Sequence, residues 1–419
     1  MNKISMLFQH IPAGVKNGLL IIFGEGIPRV LMLVGTLAAA RIIGAETYGT
    51  YGILWAKSQL SWSLIEFGTG MAGARDLAKI LHDEEKPDVI PAILGLRILL
   101  WVAVMCGWII FVSHDLWTGL FVSVYLLAQS LTPDWILRAS ERFWLIGKNQ
   151  FASALLFLVF IVIFASKFHS VESLLAANAI QAGIYCVTLW LAVPHGLKKS
   201  AIELPSARLM LLYARRGAFF AVTGGFLQAG MAGFLTATGN IYGIAMAGVA
   251  TAMLRIYQLI NTVSFMLAYG FYPRLSRGDS VSERGILQRM MFVSGVAWCL
   301  IFPLLAIPLA GILLGNAYSG MEGISLAASA GLIFGAIRFG YSIPLSASRR
   351  HWETLTANSM YCLVGCLAPY LLEKVFSHYS LSPNWVGLTI SLAEGVSLTF
   401  VLFALAIQSR NNGNHRLKG

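Results

Sequence analysis

Long apolar runs, separated by short polar stretches, occupy the sequence from end to end. Each run is about twenty residues long, which as an α-helix spans the roughly 30 Å hydrocarbon core of a bilayer. The pattern predicts an all-α membrane protein with twelve spans. We place them at 17–39, 51–72, 91–112, 117–137, 150–167, 173–194, 216–238, 247–271, 290–314, 323–346, 354–375 and 384–407.

Composition agrees with a polytopic membrane protein. Residues of the hydrophobic set make up 57% of the chain and charged residues 12%, whereas a soluble domain carries about 25% charged residues. The net charge of +11 is compatible with a nucleic-acid partner, but the basic residues follow the edges of the spans. We therefore expect no nucleic acid, and we expect the first apolar run to stay as a span.

The distribution of Lys and Arg between alternate loops predicts the orientation. Counting Arg97 with the loops, 23 basic residues fall on the side of the two termini and three on the other side. Those three are Arg41, Lys167 and Lys374. Because cytoplasmic loops collect basic residues, both termini are predicted to be cytoplasmic.

Residues 195–215 divide the chain into two sets of six spans. This segment combines Lys198 and Lys199 with an amphipathic stretch, which predicts an interfacial linker. The predicted lobes are therefore 1–194 and 216–419. A weak internal echo supports two related halves, since Tyr48-Gly49 at the second span is matched by Tyr242-Gly243 before the eighth.

Three short stretches resemble the polysaccharide transporter family. They are residues 40–52 (ARIIGAETYGTYG), 65–68 (IEFG) and 268–277 (AYGFYPRLSR). Length and helix layout are similar to those of O-antigen flippases, which belong to the multidrug/oligosaccharidyl-lipid/polysaccharide (MOP) exporter superfamily. The lipid II flippases of that superfamily usually have fourteen helices, so twelve predicted spans argue against that cargo.

The resemblance implies two pseudo-symmetric six-helix lobes that face each other across a cationic lumen and work by alternating access. It implies an undecaprenyl-pyrophosphate-linked oligosaccharide repeat unit as cargo, for O-antigen or another surface polysaccharide. The partners expected from the resemblance are membrane lipid, a polysaccharide polymerase and a chain-length regulator.

Basic residues inside the predicted spans are the candidates for binding the cargo, because each costs roughly 2.5–3.5 kcal/mol at mid-bilayer and so faces a cavity or a partner. They are Arg29, Lys57, Arg255 and Arg338. Related flippases place cations in the first, second and eighth helices, as Arg29, Lys57 and Arg255 do, although Lys57 replaces the commoner arginine. Two alternatives stay open: Glu25 neutralises Arg29 four residues away, and Lys57 snorkels to the surface.

Acidic residues inside the spans are the candidates for binding a coupling proton or sodium ion. They are Glu25, Glu66 and Glu394. The alternative is that Glu66 lies at the interface and that Glu394 forms a structural ion pair. Pro28 and the adjacent Gly224 and Gly225 are predicted to bend the first and seventh helices for gating, with close helix packing as the alternative role for the glycines.

The sequence offers no catalytic set. Its histidines lack metal-ligand spacing, its five cysteines lie in apolar runs, and it has no phosphate-binding glycine loop. We therefore expect no metal and no cofactor, and a transporter in preference to an enzyme. Two alternatives to the flippase remain. They are a drug/cation antiporter of the same superfamily and an integral-membrane O-antigen polymerase, whose long outer loop this chain lacks.

Overall fold

The computed structural model describes residues 22–82, 88–112, 115–271, 275, 281–315, 318, 320–347, 351–376 and 384–416. Within these ranges the chain forms fifteen α-helices. They are α1 Ile27–Ile43, α2 Ala45–Glu66, α3 Thr69–His82, α4 Val89–Phe111, α5 Leu116–Leu131, α6 Asp134–Ala139, α7 Phe143–Phe168, α8 Val171–Ala192, α9 His195–Ala201, α10 Ala207–Tyr242, α11 Ile244–Tyr269, α12 Val281–Leu309, α13 Met321–Ala347, α14 His351–Phe376 and α15 Asn384–Arg416. A π-helical turn, Ile22–Gly26, precedes α1, and another, Ala310–Leu314, follows α12.

Eleven helical segments in this part of the chain are long and apolar enough to cross a membrane. The helix α2 is not among them, although its 22 residues extend about 33 Å. Its polar residues, which include Lys57, Gln59 and Glu66, lower its hydropathy. Counting α2, the helices fit the predicted twelve-span, all-α membrane fold, which is confirmed.

The outer surface of these helices is apolar. Ile109 is 71% exposed, Leu304 72% and Leu371 60%, each on a long helix. Such side chains are stable when they contact lipid and costly when they contact water. The protein is therefore a multi-pass membrane protein.

The second predicted span, 51–72, combines the end of one helix with the start of another. The helix α2 ends at Glu66, and the next residue, Phe67, has a left-handed backbone with φ of 51°. The Phe67 N–H still donates to the Ser63 carbonyl at 3.2 Å, which closes the last turn of α2. The chain then turns at Gly68 and enters the amphipathic helix α3.

The described chain divides into two compact units. The first unit is residues 27–228, and the second combines 229–416 with the turn Ile22–Gly26. In the first unit, α1 packs on α7, α7 on α8, and α8 on α5. In the second unit, α13 packs against α11, α12 and α15, and α14 packs on α15. The predicted lobes, 1–194 and 216–419, remain a prediction. In the structure α10 runs unbroken through the boundary at 228.

Each unit contains the same backbone feature where one helix joins the next. Gly44 joins α1 to α2 with φ 82° and ψ 165°, and Gly243 joins α10 to α11 with φ 91° and ψ 159°. Both residues need a positive φ that a side chain opposes. The positions that correspond in backbone conformation are therefore Gly44 and Gly243. Gly49, which the sequence echo paired with Gly243, lies inside α2, because α2 begins at Ala45, six residues before the predicted start at 51.

Candidate functional site: charged residues inside the membrane helices

Glu66 and Arg97 form an ion pair where α2 meets α3 in the first unit. Arg97 Nη2 donates to Glu66 Oε1 at 3.5 Å, and Arg97 Nε donates to Thr69 Oγ1 at 2.8 Å. The Glu66 carboxylate also accepts from the backbone N–H groups of Gly68 at 2.7 Å and Gly70 at 2.6 Å. The negative charge therefore caps the N-terminus of α3, where the helix dipole favours it.

Arg97 is a functional candidate that the sequence reasoning missed. The orientation count placed Arg97 on the cytoplasmic side, although the predicted span 91–112 contains it. In the structure α4 begins at Val89 and Arg97 lies within it, 2% exposed. Its guanidinium also contacts the Trp62 ring at 5.9 Å from the centroid. The available signal was a lone arginine inside an apolar run, but its partner Glu66 is 31 residues away and is brought close only by folding.

Arg338 and Glu394 form the corresponding pair in the second unit. Arg338 Nε donates to Glu394 Oε2 at 3.0 Å, and Nη2 donates to Oε1 at 3.4 Å. Arg338 Nη1 donates to Asn358 Oδ1 at 3.3 Å. Arg338 is 5% exposed and Glu394 1% exposed. This two-pronged geometry neutralises both charges and joins α13, α14 and α15.

Lys57 and Arg29 belong to the first unit, and both are half-buried. On α2, Tyr51, Trp55 and Gln59 form one stripe that faces α5 and α8. In it Asn178 donates to the Tyr51 hydroxyl at 3.0 Å, and Gln59 donates to the Tyr125 hydroxyl at 3.0 Å. Helical periodicity places Lys57 on the opposite side of α2 from that stripe.

Arg255 and Glu25 belong to the second unit, and both are half-buried. The π-helical turn that carries Glu25 packs against α11, which carries Arg255. Gln258, one turn after Arg255 on the same face of α11, donates to the Met231 sulfur at 2.9 Å. The four predicted lumen cations are thus divided equally, with Arg29 and Lys57 in the first unit and Arg255 and Arg338 in the second. Their convergence on a lumen stays a prediction.

The predicted bends lie at irregular or open positions. Pro28 is the second residue of α1, immediately after the π-helical turn Ile22–Gly26. Proline has no N–H to donate to a preceding carbonyl, which accounts for the change of hydrogen-bond register at this point. A Cβ at Gly224 would meet no atom within 4 Å, and one at Gly225 only Leu64 and Ser63 at 3.9 Å. Close packing therefore does not require glycine at 224. Gating by these residues stays a prediction.

Part of the sequence evidence lies outside the described residues. This holds for 272–274 and 276–277 of the third motif and for several basic residues used in the orientation count (Lys3, Lys16, Lys86, Arg274, Arg277, Arg349, Arg350 and Lys418). Over the part of the chain that the structure describes, no three His, Cys, Asp or Glu side chains are arranged to hold a metal ion.

No family model matches the sequence, and a search of curated proteins finds no match. Solved structures are similar in fold. An inward-facing multidrug-resistance MATE family transporter of the MOP superfamily superposes with a TM-score of 0.73 at 14% identity, covering 93% of this chain and 99% of that one. The lipid II flippase MurJ, in an inward closed conformation, gives 0.68 at 14% identity, covering 93% of this chain and 87% of that one.

A MOP superfamily transporter from Pyrococcus furiosus, described as having a binding pocket of reversed polarity, gives a TM-score of 0.56 at 13% identity. It covers 94% of this chain and 97% of its own. Identities this low show the fold alone. The chain therefore has the fold of the MOP exporters, and the structural neighbours named here are transporters.

Proposed function

We propose that this protein is a flippase that carries an undecaprenyl-pyrophosphate-linked oligosaccharide across the bacterial inner membrane by alternating access, for O-antigen or other surface polysaccharide synthesis. In this proposal both termini are cytoplasmic, and a polymerase and a chain-length regulator act on the delivered repeat units. The protein itself performs no bond chemistry. It lowers the free-energy barrier that the polar head group meets in crossing the bilayer.

One observation carries the proposal: two of the three candidate acids are already bound to arginine. Glu66 pairs with Arg97, and Glu394 pairs with Arg338. Among the candidate charges, the five basic residues (Arg29, Lys57, Arg97, Arg255 and Arg338) outnumber the three acids. The excess charge inside the membrane helices is positive, which suits an anionic cargo.

The chemistry of the cargo explains the need for that excess. A pyrophosphate with its sugars costs many kcal/mol in hydrocarbon unless charges and hydrogen bonds compensate it, whereas the lipid tail can stay in the bilayer. Arg29 and Arg255 offer forked donors that match phosphate geometry, and Lys57 offers a point charge. The membrane potential, negative inside, adds roughly 2.3 kcal/mol per charge per 100 mV in the outward direction for an anion.

The contacts of Arg338 and Glu394 also narrow the proposed roles. We assign Arg338 the role of a structural partner of Glu394 and not that of a cargo ligand, because two of its guanidinium nitrogens already donate to the Glu394 carboxylate. Glu66 is likewise occupied by α3 and Arg97. For a coupling proton or sodium ion the candidates stay Glu25, Glu66 and Glu394, and the last two would have to leave their arginine to bind the ion.

A drug/cation antiporter is the second candidate, since a MATE family structure superposes with a TM-score of 0.73. A cationic drug needs carboxylates to bind it. With Glu66 and Glu394 both bound to arginine, the antiporter has a weaker physical basis than the flippase. The integral-membrane polymerase is less favoured again, because the similar solved structures are transporters.

Gene deletion separates the three candidates. Loss of a flippase should leave lipid-linked repeat units on the cytoplasmic face while their synthesis continues. Loss of a polymerase should let single repeat units reach the outer face without elongation. Loss of a drug antiporter should leave the surface polysaccharide intact and raise drug sensitivity, and this result would overturn the proposal.

A further inference from the structure

Short helices gather at one end of the first unit around a shared apolar core. Leu77 of α3, Ile90 of α4, Trp135 of α6, Leu197 of α9 and Tyr213 of α10 are all buried in it. The core fixes the segment from α9 to the first turns of α10 against the ends of the membrane helices. This segment was predicted to be an interfacial linker.

The first turns of α10 have two distinct faces. Tyr213 is 4% exposed and contributes to the core. On the other side, Arg208, Leu211, Leu212 and Arg215 are all exposed. Their spacing of three, four and seven residues places them along one helical stripe. The outward stripe therefore consists of two leucines with an arginine at each end.

This stripe is held in a fixed orientation by contacts on the inner face. The Tyr213 hydroxyl donates to Asp76 Oδ2 at 3.1 Å, and Arg216 Nη1 donates to the same oxygen. One turn further, any side chain at Gly217 would overlap the Phe67 carbonyl oxygen. The helix cannot rotate to hide its two exposed leucines without breaking these contacts.

The segment before α10 also combines exposed apolar side chains with an exposed basic residue. Ile202 is 86% exposed and Leu204 is 95% exposed, the highest values among the large apolar residues of the described chain. Lys199 in α9 is exposed beside them. Lys198, by contrast, donates to the Leu191 carbonyl at the end of α8 and serves the fold.

We propose that the face formed by Lys199, Ile202, Leu204, Arg208, Leu211 and Arg215, here called the linker face, binds anionic phospholipid at the membrane surface. The apolar side chains enter the boundary between head groups and acyl chains, and the three cations bind the lipid phosphates. Interfacial segments combine apolar residues with Lys and Arg in this way.

Charge selects the anionic lipid as the occupant. Between residues 195 and 216 the only acid is Glu203, against five Lys and Arg residues, and of these Arg216 is engaged by Asp76. Anionic lipids of a cytoplasmic leaflet attract basic segments next to the membrane, and each Lys or Arg raises the binding affinity about fivefold. The assignment to the cytoplasmic leaflet rests on the proposed orientation of the protein.

Lipid binding to the purified full-length protein tests the linker face. Native mass spectrometry would compare adducts of phosphatidylglycerol with those of phosphatidylcholine. The variant Lys199→Gln/Arg208→Gln/Arg215→Gln should weaken phosphatidylglycerol binding by about tenfold or more. Ile202→Ser/Leu204→Ser should weaken binding of both lipids.

The matched control removes three basic residues from the predicted opposite side, as Arg41→Gln/Lys167→Gln/Lys374→Gln, and should stay within about twofold of the wild type. Unchanged phosphatidylglycerol affinity in the linker-face variant would overturn the proposal. Displacement of phosphatidylglycerol from this face by undecaprenyl pyrophosphate would also overturn it, because the face would then be a cargo site. Transport is not measured, so failure of the flippase proposal leaves this test intact.

Discussion

Arg338 donates to both carboxylate oxygens of Glu394, which lies 56 residues further along the chain, and neither residue is more than 5% exposed. Neither charge can be removed alone without leaving the other buried and uncompensated. Removing one residue of the pair should therefore destabilise the second unit more than removing both. This difference distinguishes a structural role of the pair from a role of Glu394 in ion coupling.

We expect Arg338→Met or Glu394→Leu alone to destabilise the protein by about 3–5 kcal/mol, because each leaves one buried charge without its partner. The double variant Arg338→Met/Glu394→Leu should recover most of that loss, since it buries no charge. Thermal unfolding of the purified protein in detergent measures all three. If Glu394→Leu alone proves as stable as the wild type, the pair is not structural.

For Glu66 we expect Glu66→Ala to cost about 1–3 kcal/mol of stability, because Arg97 and the first N–H groups of α3 lose their acceptor. Glu66→Gln should cost less, since an amide oxygen still accepts from one N–H group. The exposed Glu46 on the same helix gives a control, Glu46→Gln, with no loss. A Glu66→Gln protein of wild-type stability that has lost transport would instead identify Glu66 as a coupling site.

Two glycines of α10, seven residues apart, should respond in opposite ways. Gly217→Ala should destabilise the protein by about 1–3 kcal/mol, because the new methyl group overlaps the Phe67 carbonyl oxygen and the backbone must move. Gly224→Ala meets open space and should stabilise the helix by about 0.5–1 kcal/mol.

Transport assays on the Gly224→Ala protein then test the predicted bend. A stable protein with reduced transport would support a bend at Gly224 and Gly225. Full transport in the Gly224→Ala/Gly225→Ala protein would contradict it and leave glycine without a role in gating.

The membrane fold could be predicted from the sequence because it depends on span length and hydropathy alone. Helix ends were less predictable where a left-handed residue or a side-chain cap ends the helix. The end of α2 is set by a left-handed Phe67 and by the Glu66 carboxylate reaching forward to Gly70. The apolar run continues past this helix end, so hydropathy alone does not reveal it.

The ion pairs were the least predictable feature. A partner four residues away on the same helix can be predicted from helical periodicity. The pairs formed by Arg97 and Arg338 join residues that lie 31 and 56 positions apart in the sequence, and only tertiary packing brings them together. Arg97 was therefore counted with the cytoplasmic side and not named as a candidate, and Glu394 was left with two alternative roles.

The direct test of the proposed cationic lumen is the flipping rate of a fluorescent undecaprenyl-pyrophosphate oligosaccharide in proteoliposomes. Arg29→Ala, Lys57→Ala and Arg255→Ala should each slow flipping by about tenfold or more, and the triple variant should abolish it. The control Lys167→Ala removes an exposed lysine near the end of α7 and should match the wild type. A folded triple variant that flips the lipid at the wild-type rate would contradict the account.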